Sequence, residues 1–282
     1  MTRLPASWIA FTTSKKAAVK PNSSRRTLAM STTTSERVEA WSLSSAIWLA
    51  LAAESTPFSS KPASGAAGAG PALAAGGAFA AFGPPALSAG GQVAFAAVVE
   101  GKAVPGGVFV ATGDRIQMVV AAGEDTPIGG IFAKFSERIG LNDAGVIAFH
   151  GILKFAPVEA AIFVVESGRT RAISRLGDPA PGGGTIAHFG PWPSVGSTGA
   201  VAFAASIESG STSVAILLAD ATGLTQIVAV GDTLPGGDRI ASLTLYPVVS
   251  VGPRGHVTFA VAPTATGEGP EGLFVAQPAP GR

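Results

Sequence analysis

Four segments of this chain repeat one another: residues 91–95 (GQVAF), 145–149 (GVIAF), 199–203 (GAVAF) and 255–259 (GHVTF). Their phenylalanines, Phe95, Phe149, Phe203 and Phe259, are spaced 54, 54 and 56 residues apart. Other landmarks keep the same step. Gly123, Gly177 and Gly231 recur every 54 residues, as do Phe109, Phe163 and Leu217. Phe82, Phe135, Phe189 and Leu243 follow at 53, 54 and 54. Landmarks in register at one period mark an internal repeat, and a repeat forces each unit to bury its apolar face against its neighbours.

Each unit reads as short strands. In the first, Gln92–Glu100 alternates around Val93, Phe95 and Ala97, followed by runs at 107–111, Arg115–Ala121 and 132–141. Gly, Asn, Asp and Pro separate these runs, and no window carries enough residues of 3.6 periodicity for a helix. Charged residues are only 13% of the chain, too few for the polar faces of long amphipathic helices. Ala94, Ala148 and Ala202 line one side of the key strand and Phe and Val the other, which suits closely stacked sheets. Four short strands repeated at this length are the signature of a β-propeller blade.

The expected fold is therefore all-β and propeller-like, with tandem four-stranded repeats, about four blades, the last truncated, and a leading partial strand at 79–86. An open array and a piece of a longer propeller are the alternatives. The repeat domain spans 70–277, with a tail at 278–282 and a disordered arm at 1–69. That arm lacks the repeat and is basic, with eight Lys/Arg against three Asp/Glu in residues 1–61. The remaining eleven Lys/Arg face fifteen Asp/Glu, so the repeats lack the basic footprint of a nucleic-acid binder.

Two stretches of the arm read as targeting signals. Residues 45–53 (SAIWLALAA) form a short apolar run ending in an A-x-A site, downstream of Met30. Residues 24–28 (SRRTL) resemble a twin-arginine signal, though no apolar run follows promptly. The plainer reading is one short helix near Trp48. No run reaches the length of a membrane-spanning helix, and the chain contains no cysteine, which excludes disulfides and thiolate chemistry.

Two turns recur. Residues 141–145 (LNDAG) place Asn142 at the head of a type I turn, with Gly145 closing a bulged hairpin. Residues 177–183 (GDPAPGG) and 231–237 (GDTLPGG) place Pro before Gly, as a type II turn does.

The octet 142–149 (NDAGVIAF), together with the GDPAPGG turn, resembles the NxxGxxAF tandem-repeat proteins of bacteria. The resemblance covers roughly residues 70–277. Ser88, Gly196 and Gly252 replace the Asn elsewhere, and Thr258 replaces an Ala. It implies an exported repeat scaffold, extracellular or at the cell surface, and no reaction.

Candidate sites follow from symmetry, because equivalent repeat positions point to equivalent places. Arg138, Trp192 and Tyr246 recur every 54 residues and form a ring of planar groups that stack on a sugar or peptide, or else pack along a blade edge. Glu124, Asp178 and Asp232 recur likewise, either as an acidic ring for a cation or as turn acids bonding local N–H groups. His150, His188 and His256 fall at three different repeat positions and form no metal site. No catalytic residue, metal or cofactor is read from the sequence. The expected function is an exported, non-catalytic scaffold whose partner is a glycan or an envelope protein. The alternatives are a carbohydrate-active enzyme using the turn carboxylates and a degenerate fragment.

Overall fold

The computed structural model describes residues 7–12, 78–100, 104–234, 237–243, 249–261 and 272–277, all within one compact unit. The described residues are all-β, with no helix, and form a four-bladed β-propeller. A strand near the N-terminus, β1 (Ser7–Thr12), precedes the first blade. Blade 1 comprises β2 (Ala78–Phe82), β3 (Ala86–Leu87), β4 (Gln92–Glu100), β5 (Gly106–Thr112) and β6 (Arg115–Ala121). Blade 2 repeats it with β7 (Ile131–Phe135), β8 (Gly140–Leu141), β9 (Ile147–Lys154), β10 (Ala160–Glu166) and β11 (Arg169–Arg175). Blade 3 comprises β12 (Thr185–Phe189), β13 (Ser194–Val195), β14 (Val201–Glu208), β15 (Val214–Asp220) and β16 (Gly223–Ala229). Blade 4 contains β17 (Ser250–Val251), β18 (Val257–Val261) and β19 (Gly272–Gln277). All pairings are antiparallel, with the two-residue strand beside the strand that follows it in the chain in every blade.

The blades stack through the two unlike faces of their central strands. Ala94, Val108 and Val120 of blade 1 share one buried cluster with Phe132, Phe149 and Phe163 of blade 2. Ala148, Ile162 and Val164 of blade 2 pack in the same way with Phe203, Leu217 and Phe189 of blade 3. Ala202, Ile216 and Leu218 then meet Phe259, Phe274 and Leu243 of blade 4. The alanines are fully buried, and their small side chains admit the aromatic face of the next blade. Phe149, Phe203 and Phe259 are 0% exposed and Phe95 only 7%, as their shared repeat position requires.

Three details differ from the sequence reading. The run 132–141 is neither one strand nor part of the first unit's sheet: it divides into β7 and β8, both paired with β9 in blade 2. Between them the Ser136 hydroxyl donates to the Arg138 carbonyl (3.0 Å) and accepts from His150 N–H (3.2 Å), taking the place of ladder bonds. The PGG turn is not type II. In 180–183 the positive φ falls on Gly183 (90°) and not on Gly182, and Ala180 N–H donates to the Gly184 carbonyl. This is a type I turn with a glycine bulge, the geometry expected and found for 142–145, where Gly145 has φ 78°.

The third difference concerns the N-terminal arm. β1 pairs antiparallel with β19, from Ser7↔Gln277 to Thr12↔Gly272, and occupies the outer place that β6, β11 and β16 hold in their blades. The fourth blade, expected to be truncated, takes its outer strand from the other end of the chain. The targeting stretches and the helix expected near Trp48 lie outside the described residues.

Candidate functional site

The two-residue strands β3, β8, β13 and β17 are the elements that bring the blades together. A cavity of about 280 Å³ opens among them, lined by residues of all four blades: Ala86, then 138–141, 192–195 and 249–250. Its walls form where they do because β3, β8 and β13 each follow a short link from the preceding strand, and those links reach the same place in successive blades.

Arg138 lies on the link between β7 and β8, and Trp192 on the equivalent link between β12 and β13. The Arg138 guanidinium carbon sits 4.9 Å from the centre of the Trp192 ring, a cation–π contact between adjacent blades. Each side chain is held by its own link. The Ser136 hydroxyl fixes the backbone at Arg138. Trp192 stands between Pro191 and Pro193, after Gly190 has bonded back to the Ala204 carbonyl (2.8 Å). Arg138 is exposed, Trp192 half-buried and Pro193 buried. The structure thus brings together two of the three residues that symmetry singled out, and Tyr246 lies outside the described residues.

Sequence reasoning missed two further groups at this cavity, Ser194 and Ser250. The Ser194 hydroxyl oxygen accepts the Val251 N–H at 3.3 Å, tying β13 to β17. Both serines sit on two-residue strands, which are too short to leave a periodic signal.

The recurrent acids serve their own turns. Ala121 N–H donates to Glu124 Oε2 (2.9 Å), Arg175 N–H to Asp178 Oδ2 (2.7 Å) and Ala229 N–H to Asp232 Oδ2 (2.8 Å). In each case the acid's own N–H bonds back to the carbonyl of the same partner, closing a reciprocal turn. Arg175 adds an ion pair to Asp178 at 3.7 Å. Among the described residues no three His, Asp or Glu side chains converge.

His150 stands on β9, edge-on to Phe189 of the next blade at 5.8 Å. Burial pushes its pKa down to about 4, and its Nε2 has no hydrogen-bond partner. It occupies the place of Ala96, Ala204 and Ala260 in the other repeats, so it fills space between blades and does not reach the axial cavity.

No helix among the described residues is long and apolar enough to cross a membrane. A family model described as a family of unknown function (DUF7453) matches the chain twice, over residues 24–162 and 141–280. No curated protein matches it.

Proposed function

The chain belongs to the DUF7453 family, and we propose that it is an exported, non-catalytic binding module that holds a glycan at the axis of its propeller. The observation that carries this reading is the meeting of Arg138 and Trp192, from adjacent blades, at a cavity walled by all four. A repeat scaffold makes a site in this way, by contributing one group per unit to a common surface. An aromatic plane beside a guanidinium suits a hydroxylated ring, offering stacking area and donors together. The turn engagement of Glu124, Asp178 and Asp232 supports a non-catalytic role, because a glycosidase needs two carboxyls facing one bond across roughly 5–10 Å. Export rests on the likeness of 142–149 to the NxxGxxAF repeat proteins.

The test is a glycan and peptide array probed with the full chain and with a Trp192→Ala, Tyr246→Ala pair, each checked for folding by thermal unfolding. The expected result is glycan binding that the double variant loses. Equal binding by the folded variant places the site elsewhere. Turnover of a glycan, abolished by Asp178→Asn, would establish the enzyme reading instead.

A further inference from the structure

Among the described residues, the walls of the axial cavity carry a positive charge and no negative one. Its described lining contains one cation, Arg138, the hydroxyls of Ser194 and Ser250, apolar groups and no Asp or Glu. Among the described residues the Arg138 side chain makes one contact of an ionic or polar kind, with the Trp192 ring, and no ion pair.

That contact sets the guanidinium carbon over the Trp192 ring. Among the described residues no oxygen accepts from its N–H groups, so the planar fork of donors is available to a ligand. A guanidinium with no acceptor among the described residues, set over an aromatic ring, is placed to take a planar anion. A carboxylate matches it with two parallel charge-assisted bonds. Ser194 adds to this arrangement. Its oxygen already accepts the Val251 N–H, which leaves its own proton to donate.

From this we infer that the axial cavity selects a carboxylate-bearing sugar, a uronic acid residue, and not a neutral one; this deepens the glycan reading above and rests on it. The guanidinium fork takes the carboxylate, and Ser194 and Ser250 face the ring hydroxyls. A cavity of about 280 Å³ is of the size that holds one sugar residue, at the small end of ligand sites. Two hydroxyls among its walls suit a polyhydroxylated body better than an apolar side chain. A peptide C-terminus shares the carboxylate but not the ring hydroxyls, and it forms the competing arm of the test.

The experiment is titration calorimetry on the full chain with galacturonate and its short oligomers, with galactose oligomers of matched length, and with a free dipeptide. The expected result is uronate binding at least about tenfold tighter than the neutral sugar, the scale of one charge-assisted pair. Arg138→Ala should abolish that preference, Arg138→Lys should retain only part of it, and rising salt should erode it. Thermal unfolding of each variant separates loss of the site from loss of the fold. Neutral sugar bound as tightly as uronate, with Trp192 still required, overturns the acid preference and leaves the glycan reading standing. Dipeptide bound in preference to uronate overturns the sugar assignment. Binding of none of the three overturns both.

Discussion

The Asn142 side-chain Nδ2 donates to the carbonyl oxygen of Gly196 at 2.8 Å, and the two residues hold the same position in successive repeats. Asn142 is only 6% exposed, and its Oδ1 accepts the N–H groups of Ala144 (3.0 Å) and Val146 (2.9 Å). One side chain therefore shapes its own turn and ties that turn to the next blade. Related bonds continue the chain of links, from Ala89 N–H to Asp143 Oδ1 and from the Ser197 hydroxyl to the Pro253 carbonyl. Gly196 is small for a matching reason: a Cβ there would come within 2.6 Å of Val251 Cγ1 in the following blade.

Asn142→Ala should cost roughly 2–4 kcal/mol, because it removes three bonds and strands buried backbone groups. Asn142→Ser should fall between. Ser88, in the same place in blade 1, keeps one such bond, accepting Gln92 N–H at 3.0 Å. Urea unfolding midpoints ordered Asn, Ser, Ala from high to low are expected. An alanine variant as stable as the parent would remove Asn142 from the inter-blade link.

Phe149 is fully buried and stacks on Phe163 at 5.5 Å. Phe149→Ala should lower the unfolding free energy by roughly 3–5 kcal/mol, the range for emptying a core aromatic site. A loss below about 1 kcal/mol in denaturant unfolding would contradict the blade packing.

His150 should make the fold acid-sensitive. Its folded pKa of about 4 lies below the usual 6.5, because burial disfavours the charged ring. Between those values the unfolded chain binds a proton that the folded chain does not, so stability falls as pH drops from 6.5 towards 4. The full effect is about 3 kcal/mol, at about 1.4 kcal/mol per pH unit. His150→Ala, the residue other repeats carry, should flatten stability over this window. An unchanged pH profile in the variant would assign the acid response to another group.

β1 supplies the outer strand of blade 4, so removing residues 1–14 should leave β19 with an open edge. Several backbone hydrogen bonds at about 1 kcal/mol each go with it. The truncated chain should unfold at lower denaturant and exchange the amides of β19 faster. Unaltered exchange in β19 would show that this strand does not need β1.

The repeat was legible because the same physical demand recurs at each period. A buried Phe, an Ala against the neighbouring blade and a Gly at positive φ leave marks at fixed spacing, and Phe149, Ala148 and Gly145 carry all three. Arg138 and Trp192 could be paired from the sequence for the same reason. Three things left no such mark. The β1–β19 pairing joins the two ends of the chain, and residues 7–12 share no landmark with the strands they replace. Ser194 and Ser250 lie on strands too short for periodicity. Asn142 was readable as a turn residue, but its bond to Gly196 depends on how the blades are set against each other, which no local pattern encodes.

The central claim is that ligand is held at the axis, where separate repeats converge. Hydrogen–deuterium exchange of the full chain, with and without the strongest glycan from the array, tests it most directly. Protection should appear at 138–141, 192–195 and 249–250, three stretches far apart in sequence that share one cavity, and the outer strands β6, β11 and β16 should not respond. Protection confined to those outer strands or to the PGG turns, with the three axial stretches unchanged, would contradict it.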